Sequence, residues 1–156
     1  AKHGLDCWAI SAHLQGQLVL DVIDSRNAGF APKELQGDPD AVRAWGTRQM
    51  MLAPLAAKNM GVKVVNGFTG SSIWHLLYSF PPVSQQMIDD GYKLLAERWN
   101  PILDVFAECG IGWVPFVLEA ADHHFLRNKA TNANGGMKWI EKGGGYWSAC
   151  NKAIKS

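Results

Sequence analysis

The sequence predicts an α/β fold built on a parallel sheet, and three features lead to that prediction. A β-branched run at residues 62–67 begins directly after Gly61, where a predicted helix stops. A long amphipathic helix follows at residues 84–109, and a further apolar run that is typical of a strand follows at 113–119. Alternating strands and helices predict parallel strands with right-handed crossovers, either in an open doubly wound sheet or in part of a closed barrel.

The first predicted element is a buried strand at residues 5–11, a short apolar run bounded by Gly4 and Ser11. Residues 12–40 are rich in glycine, proline, asparagine and aspartate, which predicts a long loop containing about one helical turn. A connection of that length is typical of a functional loop or a lid.

A helix is predicted at residues 38–60, with Asp38 or Asp40 as its N-cap and Gly61 as its stop. Pro54 lies well inside it and predicts a kink or a break. The second helix opens at the cap candidate Ser84 and ends at Gly110.

Two further prolines lie within the helix and the strand predicted after residue 84. Pro101 predicts a bend in the second helix. Pro115 is unfavourable in a central strand because it lacks a ladder donor.

The loop at residues 68–82 is unusually apolar for a connection, so we expect it to pack against the fold. Its large side chains are Ile73, Trp74, Leu76, Leu77, Tyr78 and Phe80.

Composition predicts one packed domain, with 47% apolar and 19% charged residues among 156. Three widely spaced cysteines favour free thiols in a reducing compartment, so we expect a cytoplasmic protein. The sequence contains no run of about 18 apolar residues and its start lacks a signal-peptide core, which argues against a membrane role.

Charge divides the chain into a predicted βα domain at residues 1–125 and a Gly-rich basic tail at 126–156. The tail has six basic residues and one acidic residue. A solvated tail is the preferred interpretation, although three aromatic residues beside the basic ones leave a single-stranded nucleic-acid site open as an alternative. These aromatic residues are Trp139, Tyr146 and Trp147.

Three stretches carry a resemblance to a known family. They read GLDCWAIS at residues 4–11, GVKVVNGFTGSSIWHLLYSFPP at 61–82 and AERWNPILDVF at 96–106. The chain resembles bacterial sugar phosphate isomerases/epimerases with a xylose isomerase-like TIM barrel, over about three quarters of its length. The resemblance implies a barrel fragment in which residues 5–11, 62–66 and 116–119 are strands two to four.

The resemblance also implies a metal site. In relatives the fourth strand ends in Leu-Glu-Val-His-Pro, and its glutamate is the first of four ligands to a divalent ion. Glu119 matches this glutamate and is therefore the implied catalytic residue and ligand of manganese, magnesium or zinc. Residues 120–124 depart from the pattern, and residues 120–156 hold no counterpart of the other ligands. The alternative for Glu119 is a solvated glutamate or one paired with a lysine.

Relatives move a proton between adjacent carbons of a sugar, so the implied substrate is a sugar or a sugar phosphate. His13 and His75 follow predicted strands on the side where barrel substrates bind. Trp74 offers a ring for a sugar face, and Asn66 at a strand tip offers an amide for a hydroxyl. Either histidine is equally well read as buried and bonded to backbone, and Asn66 as a strand terminator.

The neighbouring Asp122, His123 and His124 also suggest metal binding, but adjacent side chains on a strand point oppositely and an exposed polar turn is preferred. Cys7 and Cys109 have no base nearby in sequence and do not predict a nucleophile. The second functional hypothesis is a non-catalytic barrel fragment. Such a fragment would form a homo-oligomer through its open sheet edges.

Overall fold

A parallel three-stranded sheet forms the centre of the structure. The computed structural model describes residues 3–76 and 78–115 of the chain. Within these ranges the strands are β1 (Ile10–Ser11), β2 (Val64–Gly67) and β3 (Gly112–Pro115), and they lie side by side in chain order. Both pairings are parallel, with Ile10 opposite Val65 and Val65 opposite Trp113. The predicted α/β class with a parallel sheet is confirmed.

The helices between the strands are α1 (His13–Leu20), α2 (Pro39–Asn59) and α3 (Gln85–Cys109). Short 3₁₀ turns occur at Ala28–Phe30, Lys33–Leu35 and Trp74–Leu76. Among the described residues, no helix is both long enough and apolar enough to cross a membrane.

One face of the sheet carries the main core. Val65 is fully buried there, and Ile10 and Trp113, its register partners, pack against the same cluster. The indole of Trp113 stacks on that of Trp99, with ring centroids 5.0 Å apart. All three helices contribute to this cluster. Their buried members are Val19 and Leu20 of α1, Met50 and Ala57 of α2, and Leu95, Trp99, Ile102 and Phe106 of α3.

The predicted starts of the two long helices are confirmed. The Asp38 carboxylate accepts hydrogen bonds from the backbone N–H groups of Asp40 and Ala41, at 3.0 and 3.1 Å. The Ser84 hydroxyl accepts from the N–H of Met87 at 3.3 Å. These caps satisfy amide groups that have no partner inside the helix, which is why each helix begins where it does.

The break predicted at Pro54 does not occur, because α2 continues through this residue to Asn59. Pro54 is buried, and Met50 and Ala57 beside it belong to the core. Packing on this face outweighs the one backbone hydrogen bond that proline removes. Pro101 likewise lies inside a continuous α3.

The prediction of a buried strand at residues 5–11 is wrong for most of that segment. Only Ile10–Ser11 pair with β2, and Leu5 and Trp8 are 76% and 81% exposed. An apolar run becomes a buried strand only where a ladder partner and a covering layer are both present. Among the described residues, 5–9 pair with no strand.

The prediction of about one helical turn in residues 12–40 underestimates the helix there, since α1 has eight residues. Glycine is typical of loops, yet Gly16 lies inside α1 and is buried. A side chain at Gly16 would collide with the backbone carbonyl of Phe68, so the loop after β2 can approach α1 only at a glycine.

The expectation that the apolar loop at residues 68–82 packs against the fold holds for its first half only. Thr69, Ser71 and Ile73 are buried, whereas Tyr78 and Phe80 are 92% and 98% exposed. Residues 116–156, with Glu119, Asp122, His123, His124 and the predicted tail, lie outside the described residues.

Candidate functional site

The carboxyl edge of the sheet brings together two of the residues that the sequence singled out. Asn66 lies near the end of β2, and His13 opens α1 just after β1. The backbone carbonyl of Asn66 accepts a hydrogen bond from the N–H of Ala12 at 2.8 Å. His13 and Asn66 therefore come from neighbouring strands at the same edge.

The His13 ring is oriented from two sides. Its Nδ1 atom lies 3.0 Å from the hydroxyl of Ser11, and its ring meets that of Phe68 edge-on, with centroids 4.7 Å apart. A strand residue and a loop residue thus hold the imidazole in place. An imidazole so held can exchange a proton or a hydrogen bond with a ligand at the edge.

Asn66 faces away from the core. It lies in register with Ser11 on one side and Val114 on the other. Because side chains alternate along a strand, these three residues occupy the face opposite to Val65. The Oδ1 atom of Asn66 is buried, and among the described residues nothing donates a hydrogen bond to it. Buried polar atoms are normally paired, so the unpaired oxygen makes Asn66 a candidate hydrogen-bond acceptor at this edge.

Trp74 and His75 lie elsewhere, in the turn Trp74–Leu76 of the loop after β2. The Arg26 guanidinium lies 5.4 Å from the centre of the Trp74 ring, a cation–π distance. The Nδ1 atom of His75 is buried and has no hydrogen-bond partner among residues 3–76 and 78–115. This turn carries an aromatic and a polar side chain on the loop that continues from β2.

An ion pair borders that turn. The Arg26 guanidinium contacts the Asp24 carboxylate at 2.6 to 3.1 Å. These hydrogen bonds lower the pKa of Asp24 to about 2, and the charge of Arg26 acts in the same direction more weakly. The same carboxylate raises the pKa of Arg26.

A buried carboxylate, Asp21, connects the turn to α1. One carboxylate oxygen, Oδ1, accepts from the backbone N–H of Ser71 at 2.9 Å. The other, Oδ2, accepts from the side-chain amides of Gln17 at 2.8 Å and Asn27 at 3.4 Å. Burial raises the pKa of Asp21, while the hydrogen bonds and a weaker interaction with Trp74 oppose the rise.

The sequence did not identify Asp21 or its partner Ser71. The available signal was a single acid directly after the apolar run Leu18-Val19-Leu20. That signal does not reveal the partners, because Ser71 is 50 residues further along the chain.

The described residues contain no complete metal site of their own. Within residues 3–76 and 78–115, no three His, Cys, Asp or Glu side chains lie close enough together to hold an ion. Glu119 lies outside these ranges, and we assign no chemical step to a metal.

Two comparisons with known proteins add no assignment. No protein-family model matches the chain, and no curated protein matches it either.

Proposed function

We propose that the chain is part of a sugar or sugar phosphate isomerase/epimerase with a xylose isomerase-like TIM barrel. In this proposal the substrate lies across the carboxyl edge of the sheet. The observation that carries it is the buried and unpartnered Oδ1 atom of Asn66, which lies at that edge beside His13. Barrel enzymes bind their substrates at the carboxyl ends of the strands.

The arrangement of the sheet supports a barrel fragment. β1, β2 and β3 are adjacent in chain order, and all three helices pack on the face of Val65. In a barrel the helices lie outside and the alternate strand positions point to the interior. Ser11, Asn66 and Val114 take those alternate positions here.

The roles follow from the chemistry of each group. The Asn66 oxygen accepts a hydrogen bond from a sugar hydroxyl, and the His13 imidazole contacts a second hydroxyl. Trp74 and His75 border the ligand from the loop. Glu119 remains the metal ligand and catalytic carboxylate that the resemblance implies, with manganese, magnesium or zinc as the ion.

Ligand titration tests the binding site directly. Fructose 6-phosphate serves as the probe, with the affinity measured by calorimetry for the wild type and for Asn66→Ala. We expect the substitution to weaken binding about tenfold, because a hydrogen-bond partner of the hydroxyl is lost. Asn100→Ala is the matched control, since Asn100 on α3 also has a buried Oδ1 atom without a partner among the described residues. Equal weakening by both substitutions would contradict the proposed site.

Metal analysis tests the implied role of Glu119. The purified protein is dialysed against manganese, magnesium and zinc in turn, and bound metal is measured for the wild type and Glu119→Gln. We expect the substitution to lower retention, because the amide loses the charge that holds the ion. Equal retention by the two proteins would remove Glu119 from the site.

Self-association is the second candidate function, and the segment before β1 favours it. Leu5 and Trp8 are largely exposed, and β1 lies at one edge of the described sheet. An open edge next to apolar side chains is suited to pairing with a second copy. Light scattering after size exclusion should then show a dimer that Trp8→Ser weakens and Tyr78→Ser, at an equally exposed ring, leaves intact. A monodisperse monomer in the wild type would exclude this candidate.

A further inference from the structure

The start of the loop after β2 runs alongside α1. Phe68 lies against Gly16, and Gly70 lies against the Gln17 carbonyl and the backbone of Asp21. Gly70 has a φ of 73°, in the left-handed region that favours glycine, and its missing side chain leaves room for this approach. The loop therefore follows the helix from its first turn to its end before it reaches Trp74.

Asp21 holds the two segments together at the end of α1. It is completely buried and receives hydrogen bonds from α1, from the segment after α1 and from the loop after β2. The donors are the Gln17 amide, the Asn27 amide and the Ser71 N–H. A buried carboxylate is tolerated only where such donors compensate for the loss of water.

The donors favour a carboxylate over an amide. Oδ1 and Oδ2 both act as acceptors, so an asparagine at position 21 would turn its NH₂ group towards the Ser71 N–H or towards the two side-chain amides. The bond to Ser71 or the bond to Asn27 would then be lost, since the Asn27 oxygen already accepts from the Asp24 N–H.

Two arginines hold the end of α1 independently of the loop. Arg43 donates to the carbonyls of Leu18, Val19 and Asp21, at 3.0 to 3.4 Å. Arg98 donates to the carbonyl of Val19 at 3.0 Å. These bonds satisfy carbonyls at the end of the helix and involve no loop residue. The Asp21 side chain, in contrast, joins the end of α1 to Ser71 of the loop.

We infer that Asp21 is a positioning residue of the candidate site, holding the turn of Trp74 and His75 against α1. The inference rests on the proposed function for its ligand, but the anchoring itself is independent of any ligand. The carboxylate acts through Ser71 and the loop rather than on the substrate. Removing it should free the turn while the sheet edge at Asn66 keeps its structure.

Hydrogen exchange of the full chain tests the anchoring, with Asp21→Asn compared with the wild type. We expect amide exchange at residues 69–76 to become about tenfold faster, while the buried faces of α2 and α3 keep their protection. Asp104→Asn, at an exposed position on α3, is the control and should change neither. Faster exchange throughout α2 and α3, or no change at 69–76, would overturn the inference.

A milder substitution covers the case in which Asp21→Asn does not fold. Gln17→Met keeps the length of the side chain and removes one of the donors to Oδ2. It should accelerate exchange in the same residues by a smaller factor, and an unchanged loop would again overturn the inference.

Binding of fructose 6-phosphate separates this inference from the proposed function. If both are correct, Asp21→Asn weakens binding several-fold at a temperature where the protein is fully folded, and Asp104→Asn does not. A wild type that binds no probe overturns the proposed function, whereas the exchange result alone decides whether Asp21 holds the turn. Full affinity in a variant whose turn exchanges rapidly would overturn the positioning role.

Discussion

Asp21 and Asn66 both bury side-chain oxygen atoms, but the two positions differ in what those oxygens contact. The Asp21 carboxylate accepts hydrogen bonds from three segments of the chain. The Asn66 Oδ1 atom has no hydrogen-bond partner among the described residues. The satisfied oxygens of Asp21 join three segments, so Asp21 acts by positioning the loop. The unsatisfied oxygen of Asn66 lies at the carboxyl edge of the sheet, which makes that edge the candidate binding position.

The largest effect should come from the core that supports both regions. Trp99 is 1% exposed, stacks on Trp113, and donates from its indole N–H to the Thr69 carbonyl at 3.0 Å. Trp99→Ala should lower the free energy of unfolding by about 3–5 kcal/mol, through the cavity and the lost hydrogen bond. Urea denaturation measures the change, and Tyr78→Ala at an exposed ring should alter the free energy of unfolding by less than about 0.5 kcal/mol.

The second-largest effect on stability should come from the contact between α1 and the loop after β2. Gly16→Ala would push a methyl group into the Phe68 carbonyl, and we expect a loss of about 1–3 kcal/mol in the free energy of unfolding. Gly37→Ala is the matched control, because a methyl group there meets open space. Similar denaturation midpoints for both variants would show that the close approach at Gly16 is not required.

Asn66→Ala should separate stability from binding. Removing an unpaired buried oxygen costs no hydrogen bond within the described residues, so the free energy of unfolding should stay within about 1 kcal/mol of the wild type. Affinity for fructose 6-phosphate should nevertheless fall. A large loss of stability with unchanged affinity would show that Asn66 is needed for the fold and not for binding.

The smallest effect is a pH dependence at the junction. Burial raises the pKa of Asp21 above 3.8, so the folded state binds more protons than the unfolded state just above that pH. Asp21 therefore contributes a fall in stability as pH rises from 3.8 through its raised pKa. Denaturation measured at several pH values should show this negative contribution in the wild type and its absence in Asp21→Asn.

Asp24 contributes a pH dependence of stability that is opposite in sign to that of Asp21, and it serves as an internal control. The Arg26 hydrogen bonds lower its pKa to about 2, so the stability that it contributes is present above 3.8 and is lost as pH falls to about 2. Asp24→Asn should flatten the pH dependence only in this lower range. A change above pH 3.8 would indicate that Asp24 and Asp21 titrate together.

Local signals in the sequence determined the long helices and the central strand. Asp38 and Ser84 cap α2 and α3, and the β-branched residues after Gly61 form β2, because caps and turn residues act on their immediate neighbours. His13 and Asn66 could likewise be placed at one sheet edge, since the carboxyl ends of parallel strands meet there.

Tertiary structure alone decided the rest. Residues 5–9 are exposed because a strand needs a partner that no local pattern supplies. The loop after β2 reaches α1 because Gly16 leaves room for the Phe68 carbonyl, which lies far along the chain. The carboxylate of Asp21 accepts a hydrogen bond from Ser71, which is 50 residues away in the chain. Composition and spacing cannot reveal this contact. Hydrogen bonds and close approaches between distant segments depend on the folded arrangement, and the sequence determines them only through the fold as a whole.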